Sequence, residues 1–224
     1  MASVLITGAN RGIGLEFVKQ YSADGWTVHA CCRRPDQATE LNAVSGDVHV
    51  HPVDVADSES LNACADAIAG ALDVVVANAG LGGKAVGDFG EIDFAEWDNT
   101  FAVNVRGVVA TAQAFAPHLK KAKGKIAGIS SLMGSIEDSS GGALCYRTTK
   151  AAVNMAMSVI AAEFESHGVA AAPFHPGWVQ TDMGGANAPT SAEESVSGLR
   201  QRITEMPVAA KPKFLNFAGQ ELPW

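Results

Sequence analysis

Thr7-Gly8-Ala9-Asn10-Arg11-Gly12-Ile13-Gly14 directly follows the apolar run Ser3-Val4-Leu5-Ile6 and opens a helical stretch over 14–24. A glycine pattern is weak alone; between a strand and a helix it becomes a phosphate-binding turn. Gly8 can make the tight turn, Gly12 lets backbone approach a pyrophosphate, and Gly14 lets helix and sheet pack closely. Asn10, Arg11 and Ile13 line the same turn. The helix start then offers unpaired amides and a positive dipole end to phosphates. Leu15 stands where a kinase-type phosphate loop needs a Lys-Ser/Thr pair, so that alternative is disfavoured.

Outward from the turn the same alternation recurs. Short apolar runs at 27–32, 48–53, 72–77, 125–130 and 169–174 are rich in Val, Ile and Ala, which suits strands covered on both faces. Between them, 58–69, 97–119 and 146–166 are long enough for crossover helices. A later run, 213–217, can add an edge strand. Strand and helix in alternation predict an α/β fold: one doubly wound Rossmann-type domain over 1–224, with a mostly parallel seven-stranded sheet and helices on both faces. Loop chemistry marks 79–83, 134–142 and 182–194, and a substrate loop is expected at about 182–197.

The 224 residues could bury about 70% of their extended surface, which suits one well-cored domain. Hydrophobic residues at 47% and charged residues at 18% exclude disorder and a coiled coil. With 24 acidic against 16 basic residues, a net charge of -8 fits neither nucleic acid nor an anionic membrane surface as partner. No apolar run reaches the 18 or so residues of a membrane helix, and no signal peptide is evident; a soluble, cytoplasmic protein is expected. Cys31, Cys32, Cys64 and Cys145 show no C-x-x-C spacing, and His49 and His51 alternate without a third ligand nearby, so no metal site is expected.

The second strand ends in Cys31-Cys32-Arg33-Arg34. An NAD-preferring site usually places an acidic residue there for the ribose hydroxyls. Here Arg11 and Arg33 can reach a 2′-phosphate with no carboxylate opposing them, which predicts NADP(H) over NAD(H). Asp54, at the end of the third strand, is placed for the adenine amino group, with Val55 packed near the ring. Asn78-Ala79-Gly80 ends the fourth strand; Gly80 permits close cofactor approach and Asn78 can pin neighbouring backbone.

At the other end of the site, Tyr146-Arg147-Thr148-Thr149-Lys150 begins a helical segment, and the four-residue step puts Tyr146 and Lys150 on one face. A phenol near pKa 10 is a poor acid or base at neutrality, and a nearby ammonium favours its ionised form. Ser130-Ser131 lies between this pair and the glycine turn. Only one of these serines can face a substrate, because adjacent strand residues point oppositely; Ser131 is preferred and Ser130 is the rival. Leu132 stands where a nucleophile elbow would need its second glycine, which argues against an esterase.

These motifs, with Asn104 and Pro176-Gly177 followed by Thr181, occur in the order of the short-chain dehydrogenase/reductase family, which the chain resembles over nearly its whole length. Within it, Gly134-Ser135-Ile136, Tyr146-Arg147 and Trp178-Val179-Gln180-Thr181-Asp182-Met183-Gly184 resemble the small carbonyl-reductase branch. The resemblance implies that Tyr146 exchanges a proton with a carbonyl oxygen while Ser131 hydrogen-bonds it. Lys150 would lower the phenol's pKa and hold the nicotinamide ribose, and Asn104 would support Lys150 through an ordered water. Thr181 would hold a phosphate, and Pro176, Gly177 and Val179 would shape the nicotinamide site. Two departures remove no catalytic group: Ala77 replaces an Asn common in the family, and Thr149 a Ser. Leu132, Met133, Trp178 and Met183 would offer an apolar pocket to a ketone or aldehyde. The family also implies a homodimer or homotetramer built on the 97–119 and 146–166 helices. The competing function is a dinucleotide-binding signalling or interaction protein with incidental catalysis.

Overall fold

The computed structural model describes the backbone of residues 1–224 and every side chain except that of Ala85. The apolar runs form β1 (Ser3–Thr7), β2 (Thr27–Cys32), β3 (Val48–Pro52), β4 (Val74–Ala77), β5 (Lys125–Ile129), β6 (Ala170–His175) and β7 (Leu215–Asn216). They make one sheet in the order β3-β2-β1-β4-β5-β6-β7, and every neighbouring pair is parallel. The helices are α1 (Gly12–Ala23), α2 (Thr39–Asn42), α3 (Ser58–Ala67), α4 (Phe94–Phe101), α5 (Gly107–Ala122), α6 (Leu144–Glu165) and α7 (Ala192–Glu205).

Strand alternation divides the core into two layers. Val4 and Ile6 of β1 face one side, where Phe17 and Val18 of α1 and Leu199 and Ile203 of α7 cover them. Leu5 faces the other side, with Leu61 of α3, Phe115 of α5 and Val153 of α6. Apolar residues on both faces explain why the central strands read as continuous hydrophobic runs.

Two boundaries differ from expectation. The segment expected as one helix over 97–119 begins at Phe94, because the Asp93 carboxylate accepts from the Ala95 and Glu96 amides at 2.9 and 3.3 Å. It then passes through a five-residue π-helical turn, Ala102–Arg106, before α5. The expected substrate loop also ends sooner: Ser191 accepts from the Glu194 amide at 3.0 Å and starts α7, so residues 192–197 are helical. Ser191 and Glu194 have capping-box spacing, a signal visible in the chain itself. Among the described residues, no helix is long and apolar enough to cross a membrane.

Candidate active site

β1 lies between β2 and β4, so the chain order reverses at its carboxyl end, where open parallel sheets bind ligands. The glycine turn occupies this point. Gly8 has φ 67°, and a methyl group on it would stand 2.9 Å from the Ala79 Cα. One on Gly14 would overlap the Gly8 carbonyl oxygen. The turn is fastened from β4: the Thr7 hydroxyl accepts from the Asn78 and Ala79 amides at 3.0 and 3.1 Å, and Asn78 Nδ2 donates to the Thr7 carbonyl at 2.9 Å. Ala77, where the family often has Asn, is buried. Asn10 and Arg11 are exposed, and Ile13 packs half-buried on the α1 layer. No acidic side chain lies in the first turn of α1, which leaves its positive end free for phosphate.

At the adenosine edge, one expectation is corrected. Arg11 is opposed by a carboxylate: its Nη1 donates to Asp182 Oδ2 at 2.9 Å, both side chains being exposed. Arg33 is exposed, and no salt bridge to it occurs among the described residues. Asp54 accepts from the Ala56 amide at 2.9 Å through one oxygen, leaving the other free. The expectation for Val55 is also corrected, because its side chain is buried in the core against Gly107 of α5. Only the backbone of Val55 remains available to a ring.

The chemical groups come from β5, the π-turn and α6. Ser131 follows β5, and its hydroxyl oxygen accepts from the Met133 amide at 3.2 Å. Ser130 points beneath α6, where its hydroxyl donates to Asn154 Oδ1 at 2.6 Å. The two serines thus face opposite ways, and Ser131 is the one beside the Tyr146 phenol. Lys150 lies 5.5 Å from the centre of the Tyr146 ring and donates to the Ile129 carbonyl at 2.9 Å. Burial lowers the Lys150 ammonium to about 8. Burial also raises the Tyr146 phenol above its ordinary value, with the Ser131 hydroxyl acting in the opposite sense. The expected net lowering of this phenol is therefore not what the free protein has. His175, at the end of β6, is held neutral near 4 by burial and by the Lys150 charge.

Asn104 sits in the π-turn, fully buried. Its Oδ1 accepts from the Leu81 amide at 2.7 Å, and its Nδ2 donates to the Leu81 carbonyl at 2.9 Å and to Thr149 Oγ1 at 3.1 Å. The side chain thus fixes the irregular segment after Gly80 to the helix that carries Tyr146. Gly80 lies against this crossing, where a methyl group would make ordinary contact with Asn104 Oδ1 at 3.4 Å and Lys150 Nζ at 3.7 Å. Pro176 and Val179 are buried, and Gly177 has φ 87°. Thr181 accepts from the Gly184 amide at 3.1 Å, and a methyl group on Gly12 would stand 3.1 Å from its Cγ2.

Of the four expected pocket residues, Met133 borders the best-formed space beside the site. Met133 lines a space of about 370 Å³ with Phe89, Ile136, Leu144 and Arg147. Met183 lies across Gly82, and the exposed Trp178 donates from Nε1 to the Gly184 carbonyl at 2.8 Å. Leu132 is half-buried. Two residues organise the cavity wall without having been singled out for it. Arg147 donates to the Gly141, Met133 and Asp138 carbonyls and to Ser140 Oγ. The Trp224 carbonyl accepts from the Ile136 and Glu137 amides and from Ser135 Oγ. The run of four acceptors around Arg147 is a tertiary arrangement with no local sequence signal.

This site and fold define a dinucleotide-linked oxidoreductase architecture. A profile for short chain dehydrogenase matches residues 2–192, and the chain belongs to that family. C-signal of Myxococcus xanthus is 36% identical over 157 residues, 69% of this chain and 94% of the relative. The carbonyl reductase Sniffer of D. melanogaster superposes with a TM-score of 0.92 at 28% identity, covering 100% of both chains. The NADPH-bound carbonyl reductase from chicken fatty liver does so with 0.89 at 30% identity, covering 100% of this chain and 99% of that one.

Proposed function

We propose that this protein is an NADPH-dependent oxidoreductase that reduces a ketone or aldehyde carbonyl to an alcohol, reversibly. The observation that carries this reading is the meeting of Ser131, Tyr146 and Lys150 at the carboxyl end of β5, with Lys150 beside Gly80. The residues present fit a dinucleotide. The first turn of α1 has no acidic side chain, and Gly12 leaves room where a side chain would crowd Thr181. The Gly8 to Gly14 turn with Thr181 would hold the pyrophosphate, Asp54 and the Val55 backbone the adenine, and Arg33 a 2′-phosphate. Asn78, Ala79 and Gly80 would border the nicotinamide half together with Pro176, Gly177 and Val179. When bound, the nicotinamide supplies or accepts the hydride.

The chain's own residues supply placement and the proton. The raised pKa keeps the Tyr146 phenol protonated at neutral pH, so it can donate to a carbonyl oxygen that is gaining charge. The Met133 amide already occupies a lone pair of Ser131 Oγ, which leaves the hydroxyl hydrogen free for the same substrate oxygen. Lys150, fixed by the Ile129 carbonyl, is the positive charge nearest the phenolate that remains. Asn104 holds Leu81 and Thr149 in register, so its part is positioning. Both NADP-linked and carbonyl-reductase descriptions belong to solved relatives, and they support the same assignment here.

A homodimer or homotetramer through the outer faces of α5 and α6 is supported by exposed Val109, Met155 and Val159. One relative is named C-signal, which favours a signalling role as the second reading. Tyr146→Phe with a panel of ketones and aldehydes tests the enzyme. The expected result is no NADPH-linked turnover with NADPH binding retained; full turnover by the variant overturns the assignment.

A further inference from the structure

Behind the adenosine edge of the site just described, the outer part of the sheet carries a second group of reactive side chains. Cys31, the penultimate residue of β2, places its sulfur 3.9 Å from that of Cys64 in α3. The ring of His51 adjoins Cys64, with His118 also near it, and leads to two further imidazoles. His29 and His51 meet at 3.0 Å across β2 and β3, and His49 stacks on His29 with ring centres 5.4 Å apart. His49 is in turn paired with Asp47 at 2.9 Å. Among the described residues, no three such side chains are arranged to hold a metal ion, so the chemistry of this group is that of its thiols.

We propose that Cys31 and Cys64 form a reversible thiol–disulfide couple oxidised by hydroperoxides, with Cys64 as the attacking sulfur. Two independent observations select Cys64. It keeps 5% of its surface, against 1% for Cys31, so an oxidant meets it first. Its sulfur also adjoins the ring of His51, which favours the thiolate, whereas the fuller burial of Cys31 holds its thiol up. Thiolate character and access together determine which cysteine reacts.

The steps balance. Cys64 sulfur attacks one oxygen of the peroxide; an S–O bond forms, the O–O bond breaks and an alcohol, or water from hydrogen peroxide, departs. The Cys64 proton passes through His51 to that departing oxygen. Cys31 sulfur then attacks the sulfenic sulfur, the S–O bond breaks, and hydroxide leaves as water with the Cys31 proton. Two thiols are oxidised and one hydroperoxide is reduced. The sulfurs must close from 3.9 Å to roughly 2.05 Å. Nothing in this proposal depends on the cofactor.

The test treats the full chain with hydrogen peroxide at neutral pH, counts thiols after unfolding and maps peptides by mass. The expected result is a fall from four thiols to two, with a Cys31–Cys64 cross-linked peptide that dithiothreitol releases. Cys31→Ser should instead leave a sulfenic acid on Cys64 that dimedone traps, and His51→Gln should slow the reaction roughly tenfold. Four persisting thiols in the wild-type chain, or a disulfide through Cys32, Cys145 or a second chain, overturn the proposal. The wild-type peptide map decides the matter even where a variant folds poorly.

Discussion

Arg11 and Asp182, 171 positions apart, meet at 2.9 Å and join the glycine turn to the loop that follows β6. Both side chains are solvent-exposed, so the pair contributes little to stability. Its effect is on the ligand, because Asp182 competes with a phosphate for the same guanidinium. Asp182→Asn is therefore expected to tighten NADPH binding while leaving NADH nearly unchanged. Arg33→Ala should weaken NADPH roughly tenfold to a hundredfold, again sparing NADH. Fluorescence titration of both cofactors checks each change, and equal losses for the two would count against a 2′-phosphate contact.

Lys150 bears the cost of a buried charge, and the cost depends on pH. Its pKa falls from 10.5 in the unfolded chain to about 8 in the fold. Between these values the unfolded chain binds more protons, so stability rises with pH across that window and is lowest below pH 8. The full shift corresponds to about 3 kcal/mol. Lys150→Met removes the penalty at neutral pH but orphans the Ile129 carbonyl, which offsets part of the gain. Relative to this variant, the wild-type protein should gain stability from pH 8 to 10.5 in urea titrations; a constant difference would refute the buried charge.

The adjacent serines should separate cleanly. Ser131→Ala is expected to lower kcat by about 10²- to 10³-fold with little change in Tm. Ser130→Ala removes the one hydrogen bond to Asn154 Oδ1 among the described residues and should cost about 1–3 kcal/mol while preserving the chemistry. Steady-state kinetics beside thermal melts distinguish the two patterns, and a reversed assignment would make Ser130 the reacting group.

Asn104→Ala breaks three hydrogen bonds, a buried one to Thr149 and two partly buried ones to the Leu81 backbone. It should destabilise the fold by about 2–4 kcal/mol and lower kcat through misplacement of the segment after Gly80. Asn104→Asp keeps the acceptor for the Leu81 amide but loses the donor, so partial recovery of stability is expected. Full activity in the alanine variant would show that the Leu81 crossing is dispensable.

What was legible in the chain followed from local physics. The glycine turn reads correctly because Gly8 needs positive φ and Gly14 needs the space beside the Gly8 carbonyl. Continuous apolar runs mark strands that are buried on both faces, and the four-residue step places Lys150 near Tyr146. What was not legible depends on distant partners. Nothing near Arg11 announces Asp182, and nothing near Val55 announces Gly107, whose missing side chain lets it bury. The burial that raises the Tyr146 phenol is equally a property of the assembled fold. Trp178 and Met183 lie in a loop of glycines and short side chains, where period and propensity say little about direction. The Ser191–Glu194 capping pair was readable and moves the end of the 182–197 loop forward.

The π-turn at Ala102–Arg106 carries one further consequence. Its extra residue lets α4 and α5 keep their own inward faces while Asn104 points at Leu81 and Thr149. Deleting a single residue there would yield a more regular helix, and by local preference a better one. Yet everything downstream would swing by about 100°, carrying the amide away from Leu81. At this position the most ideal backbone is the least useful, and redesign for regularity would trade away the arrangement the site depends on.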